Sequence, residues 1–211
     1  MNVLNNAVSL INQELSLNID TEHLHYWMNA IRQSPNPMRT LDAFWSGQIK
    51  SKEWLIENLK PFVNDHVDIE IYGGWVGTLS SMLFQSDIPI KQILSIDIDP
   101  SCEPIAHMMN KKEEMEGRFK AITEDMITMS SASDIVINTS CEHLTQPQYD
   151  LWSSKMKGLL VLQGNNYQIP EHVRPSENLE DFKKQCRMKF VLWEGELETP
   201  MYTRYMIIGR K

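Results

Sequence analysis

Ile69-Glu70-Ile71-Tyr72-Gly73-Gly74-Trp75-Val76-Gly77-Thr78-Leu79-Ser80 is an apolar strand pattern that gives way to glycines and then resumes as a helix. Glycine lets a backbone turn sharply and approach a ligand closely, and the helix that follows presents unpaired N–H groups. Downstream, Ile93-Leu94-Ser95-Ile96-Asp97-Ile98-Asp99-Pro100 reads as a second strand ending in carboxylates. An acid about 20 residues beyond a glycine turn is the usual ribose-hydroxyl ligand of a nucleoside-binding α/β unit. Asp97 stands at that distance.

Working outward, strands and helices alternate from Val67. The strand patterns are 68–72, 92–97, 119–122, 134–138, 158–163, 189–195 and 202–208, and a further helix is expected over 179–186. Helical connections imply right-handed crossovers and a mainly parallel sheet. The last two strands are joined by a short Gly/Pro-containing segment, too short for a crossover, so they are expected as an antiparallel hairpin. Before this region, Val3, Leu4, Ala7, Val8, Leu10, Ile11 and Leu15 form one amphipathic face. Thr21 is a candidate cap for a helix carrying Leu24, Trp27, Met28 and Ile31, and Ser34-Pro35-Asn36-Pro37 breaks it. Ser51 reads as the cap of a third helix that stops at Pro61. The expected organisation is a helical cover over 1–62 and a ligand-binding domain over 63–211.

Composition sets bounds on function. At 211 residues the chain is long enough for a sizeable core, and its formal charge of −8 argues against wide binding to phosphate backbones. No extended nucleic-acid surface is expected. Cys102, Cys141 and Cys186 show no paired spacing and leave an odd count, which favours a reduced, cytoplasmic setting. Neither an 18-residue apolar run nor a signal-peptide pattern is present, so no membrane association is expected.

Seven strands with a terminal hairpin, the glycine turn, Asp97 and Glu124-Asp125-Met126 after the third strand resemble the class I S-adenosylmethionine-dependent methyltransferases. The resemblance covers about residues 68–211. It implies a Rossmann-like three-layer sandwich with a mainly parallel seven-stranded sheet, S-adenosylmethionine as cofactor, and methyl transfer to an acceptor that the sequence does not identify. A small molecule or protein fits the charge balance better than nucleic acid. The cofactor residues it implies are Tyr72, Gly73, Gly74, Trp75, Gly77, Asp97, Ile98, Asp125, Met126 and Asn138: the turn beneath the methionine part, Asp97 on the ribose, Asp125 on the adenine amine. Two positions depart from the family pattern. Ile71 stands where an acid is usual and Trp75 where a glycine is usual, while Glu70 is one place off and on the opposite face of a regular strand.

The fourth strand ends in Asn138-Thr139-Ser140-Cys141-Glu142-His143-Leu144, a dense polar cluster. In an open α/β sheet, ligands lie outside the carboxyl ends of the strands, which makes Asn138, Glu142 and His143 the catalytic candidates. His143 is a natural base near neutral pH, with Glu142 to orient it or to meet a substrate amine. The plainer alternative has Glu142 and His143 capping the next helix and Cys141 filling the core. Ser140, Gln163, Asn165 and Asn166 are candidate substrate contacts, since side-chain amides donate and accept; a simple turn is the alternative. His172 reads as an exposed loop residue or as one closing over this pocket. Trp45, Gln48, Lys52 and Trp54 are substrate-cover candidates or simply core. No spacing matches a zinc signature, and no metal is expected. Ile71 and Trp75 also suit a second reading, a regulatory module that keeps the fold without transfer. An NAD-dependent oxidoreductase is a third, which the closing hairpin argues against.

Overall fold

The computed structural model describes residues 21–211. The amphipathic face from Val3 to Leu15 lies outside the described residues. Helices α1 (Thr21–Gln33), α2 (Pro37–Asp42) and α3 (Ser46–Leu59) come first, and a 3-10 turn (Lys60–Phe62) leads into the sheet. There β1 (Val67–Tyr72), α4 (Thr78–Phe84), β2 (Ile90–Asp97), α5 (Cys102–Met109), α6 (Lys111–Met115), β3 (Phe119–Thr123) and β4 (Ile135–Asn138) follow in turn. The chain closes with α7 (Gln146–Ser153), β5 (Leu159–Asn165), α8 (Leu179–Cys186), β6 (Phe190–Glu198) and β7 (Thr203–Arg210). All seven strands expected from the sequence form.

The sheet runs β3-β2-β1-β4-β5-β7-β6, with β1 to β5 parallel and β7 antiparallel to both β5 and β6. The sandwich is three-layered, as the residue alternation along each strand shows. Ile69, Ile71, Ile135, Ile137, Val161, Met206 and Ile208 belong to one apolar cluster, while Tyr72, Val136, Leu160, Leu162, Tyr205 and Ile207 belong to the other. Successive side chains on a strand point to opposite faces, so each strand feeds both layers. Burial on both faces is what parallel strands require, and β4 and β5 are buried along their whole length.

The N-terminal helices join the first cluster. Trp27, Ile31, Phe44, Ile49, Leu55 and Leu59 share it with Ile69 and Ile93, so this cover and the sheet have a common core. Polar pins fix its position. Trp27 donates its indole N–H to Ser81 Oγ (2.7 Å) on α4, and His23 Nε2 meets Glu113 Oε1 (2.8 Å) on α6. Asn36 caps α2 by accepting from the Arg39 N–H, with Pro37 at the first turn.

The expected cap at Ser51 is a correction. Helix α3 begins at Ser46, so Ser51 stands one turn further in, where it is buried. Its hydroxyl donates to Gln163 Oε1 (3.0 Å) and its carbonyl accepts from Gln163 Nε2 (3.3 Å), fastening α3 onto the end of β5. Serine serves equally as a cap or as a buried donor, and only the tertiary partner decides. Replacing Ser51 by Ala leaves a buried amide oxygen without its donor. We expect a loss of roughly 1–3 kcal/mol, read as a lower urea midpoint at unchanged m-value. An unchanged midpoint would show that the pin contributes nothing.

Candidate functional site at the switch point

Strand order reverses between β1 and β4, since β1 connects outward to β2 while β4 lies on its other side. Such a reversal opens a crevice at the carboxyl ends of the strands. The glycine turn forms one lip of it. Gly73 and Gly77 have φ of +68° and +81°, a conformation that glycine adopts without penalty. A methyl group on Gly73 would stand 2.5 Å from Ser140 Oγ, so the turn lies directly against the end of β4.

Asp97, at the end of β2, organises this lip. Its Oδ2 accepts from the Trp75 N–H (2.8 Å) and its Oδ1 from the Asp99 N–H (3.0 Å). A carboxylate has about four lone-pair sites, so acceptor capacity remains for a ligand hydroxyl. Ile98 beside it is 67% exposed, a large apolar side chain at the crevice rim. Asp125 caps the short turn after β3 by accepting from the Ile127 N–H (2.9 Å). Met126 receives Asn138 Nδ2 on its sulfur (3.5 Å), and Asn138 Oδ1 accepts from the Ser140 N–H (2.8 Å). Asn138 is thus fully buried and shapes the loop after β4.

Tyr72, Glu70 and Trp75 fall in different places. The Tyr72 ring is buried on the far side of the sheet against Trp152, and its hydroxyl donates to Glu70 Oε2 (2.7 Å), so only its backbone adjoins the turn. β1 runs without a bulge at Glu70, which pairs with Leu94 and Val136 and stays on that same far face. Trp75 packs against the first apolar cluster. Its φ of +49° is the left-handed conformation that a glycine would normally supply.

On the β4 side, Cys141–His143 forms a 3-10 turn, and the cap of α7 is Thr145, which forms a capping box with Gln148. Glu142 and His143 therefore do not cap that helix. Glu142 is buried, with its Oε1 accepting from Asn165 Nδ2 and lying 3.5 Å from Arg204 Nη1, while its Oε2 has no partner. Arg204, on β7, also donates to the Thr139 carbonyl (3.1 Å). Burial works against its charge, yet the Glu142 carboxylate holds the guanidinium above its ordinary value. His172 arrives from the loop after β5. Its side chain is only 7% exposed, its Nε2 lies 3.9 Å from Glu142 Oε1, and its ring meets that of His143 edge-on at 4.8 Å. The exposed-loop reading of His172 is thus overturned. Cys141 is fully buried, and burial pushes its thiol well above the ordinary range, which leaves it inert.

The substrate candidates divide. Asn165 holds Glu142, and Asn166 Oδ1 accepts from the Thr203 N–H (2.8 Å). The amide of Gln163 is spent on Ser51 and Met206. Ser140 stands at the crevice against Gly73. From the cover, Trp45 contacts the Tyr202 ring (6.5 Å) and Tyr202 contacts Tyr167 (5.7 Å), which makes an aromatic wall beside Arg204. Arg39 forms a 2.6 Å ion pair with Asp99 at the end of β2. Arg204 and Arg174 were not expected from the sequence. Arg174 donates to the Leu144 and Cys141 carbonyls and so ties the loop carrying His172 to the turn carrying Glu142. A lone arginine opening the apolar run Tyr205 to Ile208 was the one available signal.

No family model matches this sequence, and no curated protein matches it. Solved structures do. The magnesium protoporphyrin IX methyltransferase ChlM from Synechocystis, with bound S-adenosylmethionine, aligns at a TM-score of 0.62 and 17% identity, covering 90% of this chain and 92% of its own. The chain has the class I methyltransferase fold. The cyclase SpnF aligns at 0.63 and 12% identity over 79% of this chain and 83% of its own, so the fold also serves other chemistry. The pyocyanin biosynthetic protein PhzM aligns at 0.61 and 14% identity over 88% of this chain, which spans 62% of PhzM. Among the described residues, no helix is long and apolar enough to cross a membrane.

Lys52 supplies a titration that reports on this site. Its ammonium donates to Gln48 Oε1 (3.0 Å), and burial, with the Arg204 charge nearby, pushes it down to about 7. Between that value and 10.5 the unfolded chain binds the proton that the native state has released. Native stability therefore rises with pH through this window, and below it the cost of burying the charge is fully present. Urea unfolding of wild type and Lys52→Met at pH 7 and pH 10 should show the wild type gaining on the variant as pH rises. A pH-independent difference would place Lys52 in an ordinary solvated setting.

Proposed function

We propose that the protein binds S-adenosylmethionine across the carboxyl ends of β1, β2 and β4 and transfers its methyl group to an acceptor held between the β4 and β5 ends and the N-terminal cover. The observation that carries this reading is Asp97 bonded to the backbone of the glycine turn at the switch point, with Gly73 against Ser140. The donor set suits the cofactor. Asp97 faces the ribose hydroxyls with spare acceptor capacity, Ile98 and Met126 offer apolar surface to the adenine, and Asp125 accepts from its amine. Gly73, Gly74, Trp75 and Gly77 carry the backbone beneath the methionine part, and ChlM, of the same fold, holds this cofactor.

When bound, the cofactor supplies a methyl group on an electron-poor sulfonium. This chain's residues then have the acceptor to orient and its proton to remove. His143 Nδ1 lies 3.1 Å from the Glu171 carbonyl, which can only accept, so that nitrogen carries the proton and Nε2 carries the lone pair. This leaves Nε2 of His143 as a base. Glu142, held by Asn165 and Arg204, presents a fixed negative charge beside it, and Asn138 fixes the loop that carries both. Ser140, Asn165 and Asn166 border the acceptor space, while Gln163 holds α3 over it.

Isothermal titration of the folded protein checks the reading. We expect saturable binding of S-adenosylmethionine and S-adenosylhomocysteine, weakened roughly tenfold to a hundredfold by Asp97→Asn, the scale of one hydrogen bond to a charged group. His143→Ala should leave nucleoside affinity unchanged. Absence of heat with either nucleoside would sink the proposal, and NAD binding in its place would favour the oxidoreductase reading. Nucleoside binding without transfer to any acceptor would favour a regulatory module.

A further inference from the structure

We infer that Glu142, His143 and His172 form a binding site for a divalent transition-metal ion. One ligand atom from each lies within 4.8 Å of the others, and the three residues come from two separate segments, the turn after β4 and the loop after β5. Both imidazoles are oriented for coordination. His143 Nδ1 meets the Glu171 carbonyl (3.1 Å) and His172 Nδ1 meets the Tyr167 carbonyl (2.7 Å). A carbonyl oxygen has no proton to give, so each Nδ1 is the donor and each neutral ring keeps its lone pair on Nε2. Fixing the far nitrogen of a histidine on a backbone carbonyl is how metal-ligating rings are held.

The carboxylate supplies the second, independent sign. Asn165 and Arg204 both address Glu142 Oε1, whereas Oε2 is buried without a partner in a residue 3% exposed. An orphaned carboxylate oxygen is costly, and a cation beside it offsets that cost. Two imidazole nitrogens with one carboxylate oxygen suit zinc, iron or cobalt better than magnesium or calcium, which favour all-oxygen shells. Three protein ligands leave coordination positions open. A histidine nitrogen that binds metal is no longer free to take a proton, so an occupied site turns this cluster from a base into a Lewis acid.

The inference stands apart from the nucleoside reading, because cation binding is measured without nucleoside. Chelator-treated full-length protein is titrated with Zn2+ and Co2+, with Mg2+ as the contrasting ion. We expect one equivalent of Zn2+ or Co2+ to bind, with Mg2+ far weaker. His143→Gln and His172→Gln should each weaken Co2+ binding by at least about tenfold, since even outer partners of a metal site cost that much. His66→Gln, at an exposed histidine outside the cluster, should leave it unchanged. Absence of stoichiometric binding, or binding that survives both cluster substitutions, overturns the inference. Where a variant does not fold, the visible spectrum of Co2+ with wild-type protein decides: nitrogen-ligated bands support the site, and the spectrum of the hydrated ion alone overturns it.

Discussion

The bond from the Trp75 amide to Asp97 joins the two strand ends on which the crevice depends. It works beside a second tie, the Gly74 N–H donating to the Ile96 carbonyl (3.0 Å), so two adjacent bonds hold the β1 turn to the end of β2. The turn is pressed against Ser140 on one side and held to a carboxylate on the other. The same carboxylate fixes the chain beyond β2 through the Asp99 amide, so one side chain sets the direction of two loops. Charge-assisted bonds to backbone donors are stronger than neutral ones, and this one lies where β1 and β2 are in register up to Tyr72 and Ile96. The sheet thereby places the acid, and the acid together with the Ile96 carbonyl holds the turn.

A second constraint governs the other lip. Glu142 is a buried charge with Arg204 as its counter-ion, and burying such a pair costs several kcal/mol per ion before the pairing returns it. Breaking a pair of this kind typically costs about 3–5 kcal/mol. An apolar pair of the same volume would hold the loop at less risk. The retention of charge at this point, together with an unpartnered Oε2, fits a cluster arranged for a ligand better than one arranged for stability. The cover contributes on the same side, because Ser51 and Gln163 hold α3 where Lys52 feels the Arg204 charge.

What the sequence reveals and what it hides divide along a physical line. Strand positions and the hairpin were legible because each rests on local periodicity or on connection length, as with Ile69 and Ile71 against Tyr72. Long-range polar partners were not. Ser51 looks like a cap because serine has the same hydroxyl in either role, and its true partner is Gln163, far along the chain. His172 looks like a surface residue because polar loops usually are exposed, and only the fold brings it to Glu142. Arg204 opens an apolar strand without any local sign that an acid awaits it across the sheet. Among the site candidates, Tyr72 and Asn138 are at the strand ends that periodicity gave them, but with their side chains turned into the protein.

Trp75 shows how a sequence departure and a structural match coexist. The family pattern has a glycine there, which suggests that the backbone needs φ above zero, and this chain reaches φ of +49° with the largest of side chains. A left-handed conformation costs roughly 1–2 kcal/mol for a residue with a Cβ. The Asp97 acceptor and the packing of the indole on the first apolar cluster offset that cost together. The indole is partly buried and packs against the first apolar cluster, the cluster to which Ile71 also belongs. Ile71 follows the same logic, since it is buried on the cluster face where an acid would have no solvent. Both departures thus put apolar surface on the first cluster, Ile71 as a buried member and Trp75 packed against it.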